Sequence, residues 1–577
     1  MCSFTRPCNK ILKPAFILSK LPGPWIMALP PLGLAALAFI LPYAASLGLG
    51  FRALGGAGRD HLALILSVLP TLGFTLKQAF LSSALALILG LPGAWFLASS
   101  RSGGLFPRLL RALSGIPFAL PSILVVLGFV LFFGNSGWLN RIIMALSGRA
   151  EGPLRILYRP GAIILAHGFY NFPLVLRLAG DSMERARRAY LPAAASLGAS
   201  PLKAALTVLL PLSLPGVCSA ALLVFLYSFT SFAVVLVLGG GPASSTLAVE
   251  IYRYARISLD YGAAGILALF ETLIASAVFL IYIFLEGRIN RIDTSADRER
   301  RMDRRRSPPY LIALGVYGLA VALLALGPIL SVPLESLLQK ASRAQAPRLS
   351  LYWWRAAGER ALPALGRSLV LAFSSAGFSC LLAALAAGAL LRRESPRRET
   401  AGGNAGAKAG KILGLLVKAA VISPLASSGI VLGLGWLILY GREQARSFPS
   451  VMLVHAVIAL PFAFNSLSQG LKNLPPNLMN AGAVFGAGPL TRIFSLALPA
   501  SAGALRSAWA FAAAISLGEL NAVMMLGMED WETLPLLIYR AVGAYRYGAA
   551  CAAGTLLILC CAGLFLLSEL GVSKKTP

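Results

Sequence analysis

Acidic side chains are scarce in this chain: 22 Asp and Glu stand against 51 Lys and Arg in 577 residues, and only 13% of residues are charged. Histidine is scarcer, with three in all, and the seven cysteines show no metal-ligand or redox spacing. A disulfide framework or a Cys/His metal centre is therefore not what organises the fold. No GxxxxGK[ST] run occurs, because Gly410-Lys411 is followed by Ile412, so that phosphate-cradling device is absent. Paired catalytic carboxylates and His/Asp clusters near one end of the apolar runs are also missing, which argues against a membrane-embedded enzyme. The net charge of +29 has the size of a nucleic-acid binder's, but few aromatics alternate with the basic residues. The arginines gather instead in short loops between apolar stretches, where they orient helices and meet lipid headgroups.

What is present is apolar length. Hydrophobic residues make up 57% of the chain, in runs of roughly 20, enough to cross a hydrocarbon core of about 30 Å. The expected fold is an all-α polytopic membrane protein with about 12 transmembrane helices. Spans are expected near 24–49, 70–99, 113–134, 161–180, 217–239 and 263–286, then near 309–331, 367–391, 413–440, 450–470, 504–527 and 549–570. Arg6, Lys10, Lys13 and Lys20 precede the first span, which reads as uncleaved with its amino end inside. Cys2 and Cys8 near that end are possible lipidation points. The expected division is a first module over 1–286, a solvated Arg-rich linker over 287–308, and a second module over 309–577. An even number of spans per half puts both termini and the linker on one side, expected to be cytoplasmic. Arg101, Arg108, Arg111, Arg185, Arg187, Arg188, Lys203, Arg392, Arg393, Arg397, Arg398, Lys574 and Lys575 fall there. Arg141, Arg253 and Arg355 fall opposite, so the asymmetry is a bias.

The chain also repeats itself. PAAASLGASPLKAALTVLLPLSLPG from Pro192 is answered by NAGAVFGAGPLTRIFSLALPASAG from Asn480. Gly198 and Gly486, Pro201 and Pro489, Pro211 and Pro499, and upstream His167 and His455, Pro173 and Pro461, each lie 288 positions apart. That spacing, half the chain, marks an internal duplication. In the first copy Pro192, Ala193 and Ala194 lie in a helix-forming stretch that Gly198 can end in the left-handed conformation. Ser200 then caps a second helix opened by Pro201, and Pro211 and Pro215 are expected to end it. Asn480, Ala481, Gly482, Gly486, Gly488, Pro489 and Pro499 take the same stations in the second copy. Two short helices set at an angle on one membrane face make a knob suited to a partner's socket.

This order of small residues, glycine, turn and Leu-Pro resembles the EAA loop of ABC importer permeases. The family's glutamate is replaced by Pro192 and Asn480, and its second alanine by Gly482 in the second copy. Longer stretches, YSFTSFAVVLVLGGGPASSTLAVEIYRYA from Tyr227 and SLGELNAVMMLGMEDWETLPLLIYRAVGAYRYGAA from Ser516, are similar to the thiamine-type fused permeases, with the iron(III) type as near relatives. The resemblance implies two tandem six-helix MetI-like modules, at about 65–285 and 365–570. It implies that the duplicated loops dock two copies of an ABC ATPase, and that a periplasmic or surface-anchored solute-binding protein delivers the cargo. The chain itself would bind no cofactor, with ATP used by the partner. The implied cargo is thiamine or a thiamine phosphate, crossing the inner membrane by alternating access. Iron(III) is the alternative within the family, and a polytopic protein with no ATPase partner the alternative outside it.

Candidate residues for a translocation path are Ser228, Thr230, Ser231, Glu519 and Asn521. Glu519 reads either as a polar station meeting a cationic ligand or as a hydrogen-bonding residue near a helix centre. Ser231 is its first-half counterpart by offset. Glu271 lies nearer the outer end of its span, where solvent contact is expected. His167 and His455 read as packing residues rather than metal ligands, and Pro173 and Pro461 as helix kinks. Tyr227, Trp436 and Trp509 are candidates for stacking on a flat cationic ring. Arg253 and Arg540 stand in matched outer loops, as contacts for an acidic partner surface or as interfacial anchors.

Overall fold

The computed structural model describes residues 23–55, 61–99, 120–149, 151–289, 308–339, 348–391, 403–527 and 531–570. Most of the Arg-rich linker (290–307), Cys2, Cys8, and the basic residues at 101–111, 392–398 and 574–575 lie outside them. The first half comprises α1 (Gly23–Leu34), α2 (Leu41–Gly55), α3 (His61–Ser99), α4 (Ser122–Phe133), α5 (Trp138–Ser147), α6 (Pro160–Ser196), α7 (Pro201–Ala204), α8 (Leu210–Phe229), α9 (Ala233–Leu238), α10 (Leu247–Arg253) and α11 (Tyr261–Ile289). The second comprises α12 (Pro308–Ser336), α13 (Tyr352–Leu391), α14 (Gly403–Ile422), α15 (Gly429–Ala445), α16 (Phe448–Lys472), α17 (Pro476–Val484), α18 (Pro489–Thr491), α19 (Leu498–Ala500), α20 (Ala502–Gly518), α21 (Asn521–Leu526), α22 (Leu534–Gly543) and α23 (Tyr547–Leu570). A short antiparallel pair, β1 (Leu338–Gln339) and β2 (Arg348–Leu349), follows α12, with Leu338 opposite Leu349.

Among the described residues ten helices are long and apolar enough to cross a membrane, or eleven if one sharply bent pair counts as a single span. Helix is the expected outcome, because hydrocarbon offers no partner for backbone N–H and C=O groups and a helix bonds them internally. Three expected spans are not single straight helices. The span expected over 413–440 bends by 108° between α14 and α15. Those over 217–239 and 504–527 end early, at Phe229 and Gly518, and resume as the six-residue helices α9 and α21. Pro, Ser and Gly at Ser423-Pro424 and Ser427-Ser428-Gly429 supply the turn chemistry of the bend.

The two halves hold each other by their first helices. The α1–α2 helix packs on α13, α14 and α15 of the second half as well as on its own α11, and α12 packs on α4 of the first half and on its own α23. Close approach is possible because glycine faces the crossing: a Cβ at Gly435 would strike the Pro42 carbonyl, and one at Gly128 the Pro328 carbonyl. The first crossing is also bonded. The turn over Ala35–Ile40 is π-wound, so the Leu41 N–H reaches back to the Ala36 carbonyl and leaves that of Leu37. Pro42 has no N–H for the Ala38 carbonyl. Tyr440 donates to the Leu37 carbonyl at 2.7 Å and Trp436 Nε1 to that of Ala38 at 3.0 Å, both from α15 of the other half. At the end of the molecule away from the hinges, Arg141 makes a two-pronged ion pair with Glu335 across the halves, at 3.2 and 3.3 Å.

Trp436→Phe keeps an aromatic ring but strands the Ala38 carbonyl. The expected loss is about 1–3 kcal/mol, the cost of an unpaired buried polar group. It is read as a lower thermal unfolding midpoint of the purified protein in detergent, and an unchanged midpoint would remove this bond from the account.

Candidate functional site

Two constructions stand out: the duplicated hinges and a central cavity. In the first hinge α6 runs to Ser196, after which Gly198 takes φ +77°. Its N–H donates to the Ala195 carbonyl at 3.0 Å, and the Ala199 N–H to that of Ala194 at 3.0 Å. In the second hinge Gly486 takes φ +76°, its N–H donates to Ala483 at 3.1 Å, and the Ala487 N–H to Gly482 at 2.9 Å. Both are the Schellman closure that glycine permits. Ser200 accepts from the Lys203 N–H at 3.4 Å and so caps α7, while Gly488 opens α18 through its carbonyl, which accepts from Arg492 at 3.0 Å. Ala194 and Gly482 are the buried small residues of each hinge, and a Cβ on Gly482 would lie 2.6 Å from Leu496 Cδ1. Pro192, Ala193, Asn480 and Ala481 are exposed.

Pro211 does not end its hinge helix as expected, while in the second copy the helix does stop one residue past Pro499, at Ala500, before the turn at Ser501. Each follows a π turn, Ala205–Leu209 or Arg492–Ala497, in which the residue before the proline donates five positions back. The helix from Pro201 then continues through Pro211 and Pro215 to Phe229. In hydrocarbon, rewinding a turn wastes fewer backbone bonds than stopping the helix. The hinge tips carry apolar side chains that no neighbour covers: Leu197 is 88% exposed, and Val484 and Phe485 are 84% and 88% exposed.

The cavity, of about 310 Å³, lies where four backbone breaks meet. Leu120 to Ser122 before α4 and Ser427 to Gly429 before α15 form one pair; Thr230 to Phe232 after α8 and Gly518 to Asn521 after α20 form the other. Irregular backbone at membrane depth is tolerated where it faces such a cavity. Tyr170, Asn171 and Tyr227 add polar groups, and the wall runs on to Phe565 and Ser568 towards the hinge end of α23. Glu519 is not at a helix centre. It occupies the break between α20 and α21, and its Oε1 accepts the Ala522 N–H at 3.0 Å, which caps α21. Gly429 lies so close that a Cβ there would sit 3.2 Å from that oxygen.

Of the path candidates, Thr230, Ser231, Glu519 and Asn521 line the cavity. Ser228 does not. It is buried in a network in which Gln78 Nε2 donates to its carbonyl at 2.8 Å and Asn171 Nδ2 to its hydroxyl at 3.4 Å. Gln78 Oε1 also holds His167 Nδ1 at 3.1 Å, while His455 Nδ1 holds Ser516 Oγ at 2.8 Å, so both histidines sit in hydrogen-bonded packing. Trp436 is spent on the first-helix crossing, and Trp509 packs on Phe373 rather than in the cavity. Arg253 and Arg540 pair within their own halves, with Glu250 at 2.8 Å and Glu532 at 2.7 Å. Glu271, expected near solvent, is fully buried.

Sequence reasoning missed Gln78, Tyr170, Asn171 and the Ser427–Gly429 corner; the run of Pro, Ser and Gly within an apolar span was the available signal for the last. It also missed a matched pair of caps. The Leu247 N–H opening α10 donates to Thr75 Oγ1 at 3.1 Å, and the Leu534 N–H opening α22 to Ser368 Oγ at 2.8 Å.

Comparison with known proteins bears on these features. Residues 90–291 match the family described as binding-protein-dependent transport system inner membrane component. The chain is 31% identical to the thiamine transport system permease protein ThiP of Brucella abortus (strain 2308), over 95% of this chain and 96% of that protein. It is 28% identical to ThiP of Escherichia coli (strain K12), over 86% of this chain and 88% of that protein. A shorter match, 30% identical over 39% of this chain, is to the spermidine/putrescine transport system permease protein PotB of Salmonella typhimurium (strain SL1344).

Gly486→Val places a β-branched residue in the left-handed region, at a cost of roughly 1–2 kcal/mol or more. The expected outcome is faster amide hydrogen exchange at Ala487, whose N–H closes the hinge, with exchange in α20 unchanged. Equal exchange at Ala487 would show that the closure does not need glycine.

Proposed function

This chain belongs to the ThiP-type family of binding-protein-dependent permeases, and from that premise we propose that it is the membrane subunit of an importer that carries thiamine, or a thiamine phosphate, into the cell. The halves act as two modules, 1–286 and 309–577, joined by the Arg-rich linker over 287–308. The hinges and both termini face the cytoplasm. Two copies of a separate ATPase take the hinges into sockets, and a solute-binding protein delivers cargo at the opposite face. The chain binds no cofactor; ATP is used by the partner.

One observation carries this reading: the hinges are the same object twice, with the same left-handed glycine, the same closing bonds and the same uncovered apolar tip. A pair of equal knobs suits a pair of equal motors. When ATP draws the motors together, the hinges move and the halves shift between two packings, which turns the cavity from one face to the other. The cargo's positive ring is then met by the Glu519 carboxylate and the faces of Tyr170 and Tyr227, with Thr230, Ser231 and Asn521 offering hydrogen bonds. Glu519 stays on the cavity wall because Ala522 holds one of its oxygens.

The decisive experiment reconstitutes the chain with its ATPase and solute-binding protein in liposomes and follows uptake. ATP-dependent thiamine uptake is expected; ferric ion uptake without thiamine, or uptake without nucleotide, overturns the reading. Two variants sharpen it. Leu197→Asp combined with Phe485→Asp should abolish co-purification of the ATPase while leaving the permease's thermal midpoint nearly unchanged, since both side chains are already exposed. Glu519→Gln should weaken cargo binding roughly tenfold or more, the scale of a lost charge-assisted bond, read as a rise in half-saturation for uptake.

A further inference from the structure

Beside the second hinge lies a groove of about 500 Å³ that shares no lining residue with the central cavity. Its floor is one face of α13, with Gly377, Cys380 and Ala384 spaced three and four apart. Two contacts fix which end of it is near the hinge. A Cβ on Gly388 of α13 would strike Ile493 of the hinge turn, and Ser507 Oγ of α20 donates to the Ser568 carbonyl near the end of α23 at 3.0 Å. Arg506 therefore stands at the hinge end, while Trp509, packed on Phe373 with ring centroids 4.9 Å apart, closes the deeper end. The floor covers two turns of helix, about 10 Å, which fits within one leaflet of a hydrocarbon core about 30 Å thick. Leu381, Phe494 and Leu567 on the rim are exposed, so the groove opens sideways to the bilayer.

Arg506 is the one charged residue of the lining, and the rest of it is apolar. It is exposed, and among the described residues no carboxylate pairs with it. A cation on a membrane-facing surface is costly unless its head reaches the headgroups, which the stem of an arginine one turn from the interface can do. The first half has neither the groove floor nor the cation. The LP-x-LG runs at 69–73 and 362–366 align α3 with α13, as do the matched caps Thr75 and Ser368. In that register Ala84, Leu87 and Leu91 stand where α13 has Gly377, Cys380 and Ala384, and Cys218 stands where α20 has Arg506. Trimmed floor and unpaired cation thus occur together, in one half alone. A long apolar chain with an anionic head is the ligand that uses both.

We propose that this groove binds one anionic phospholipid of the hinge-side leaflet, with an acyl chain along Gly377, Cys380 and Ala384 and the phosphate on the Arg506 guanidinium. The planar fork of an arginine gives a phosphate two parallel N–H donors, and a lipid with net negative charge brings no ammonium of its own to compete for that phosphate. The chain covers apolar surface that no side chain of the second half covers. Phe494, which the chain touches, belongs to the π turn Arg492–Ala497 that carries the second hinge, so the bound lipid braces that turn against α13. That this leaflet is the cytoplasmic one rests on the proposed function; the binding itself does not.

The test places the full chain in nanodiscs of phosphatidylglycerol and phosphatidylcholine in equal parts and counts the lipid it retains by native mass spectrometry. One phosphatidylglycerol per chain is expected, preferred roughly tenfold over phosphatidylcholine, the scale of one charge-assisted bond. Arg506→Gln, at an exposed position, should fold normally and erase most of that preference. Cys380→Leu combined with Ala384→Leu, which gives the floor the side chains of the first half, should reduce retention of both lipids. Inorganic phosphate, having no chain, should displace neither. Amide exchange over Arg492–Ala497 should be several-fold slower in discs with phosphatidylglycerol than in phosphatidylcholine alone, and equal in the two for Arg506→Gln. Equal retention of the two lipids, an unchanged preference in Arg506→Gln, displacement by phosphate, or exchange indifferent to lipid would each overturn the inference. So would the absence of any retained lipid, which would mean that protein fills the groove. Failure of the same preparation to take up thiamine would overturn the transport reading and leave the lipid count to decide this one.

Discussion

Hydrocarbon accepts no hydrogen bonds, and that constraint shapes this molecule more than any single contact. A continuous helix meets it at no cost, so each place where the helix is interrupted has to answer for its freed groups. The answers take three forms. At Pro42 side chains of the opposite half take the orphaned carbonyls of Leu37 and Ala38. At the hinges the turns rewind in π register ahead of Pro211 and Pro499. At the four central breaks the freed backbone is gathered around one cavity. The interruptions thus assemble the subunit and form its chamber, and the uninterrupted stretches space them.

The large features were legible in the sequence because they rest on one-dimensional signals. Apolar length announces spans, and self-similarity at half the chain announces the two hinges, whose glycine, cap and proline positions read directly as turn chemistry. The breaks were less legible because hydropathy averages across them: Ser231 and Glu519 are single polar residues in otherwise apolar runs. Leu-Pro follows a π turn at Leu41-Pro42, Leu210-Pro211 and Leu498-Pro499, whereas the apolar turns before Leu91-Pro92 and Leu460-Pro461 stay α-wound. Reading proline as a stop, a habit suited to water, placed the helix end wrongly at Pro211 and Pro215, where the helix runs on to Phe229. Glu271 was illegible for a different reason. What buries it is α2 and α15, and their approach follows from glycines meeting carbonyls across the two halves, a tertiary fact with no local trace.

Duplication produced matched scaffolds with unmatched chemistry. The caps from Thr75 and Ser368 agree, as do the histidines, yet His167 sits in an amide network with Gln78, Asn171 and Ser228 while His455 meets the Ser516 hydroxyl alone. The cavity inherits the difference, with hydroxyls at Thr230 and Ser231 facing a carboxylate at Glu519. A small asymmetric ligand needs only one counter-charge, and a second buried carboxylate opposite the first would carry a solvation cost with nothing to offset it.

The same asymmetry bears on how motion at a hinge reaches the cavity. In the first half one helix, α6, runs unbroken from His167, Tyr170 and Asn171 at the cavity to Ser196 at the hinge tip. In the second half the corresponding helix stops at Lys472, and Pro475-Pro476 starts α17 anew where the first half has Arg187-Arg188. Two prolines remove two backbone donors and disfavour helix before them, so the second hinge joins its span through a joint rather than a rod. A displacement of the first hinge reaches Tyr170 and Asn171 along one continuous helix, with Pro192 and Pro173 on the way. A displacement of the second is shared between the joint and the contacts of its π turn with α17. Equal displacements of the two hinges would therefore rotate the halves unequally: the first half carries the aromatic and amide wall of the chamber, and the half joined through the prolines carries the carboxylate.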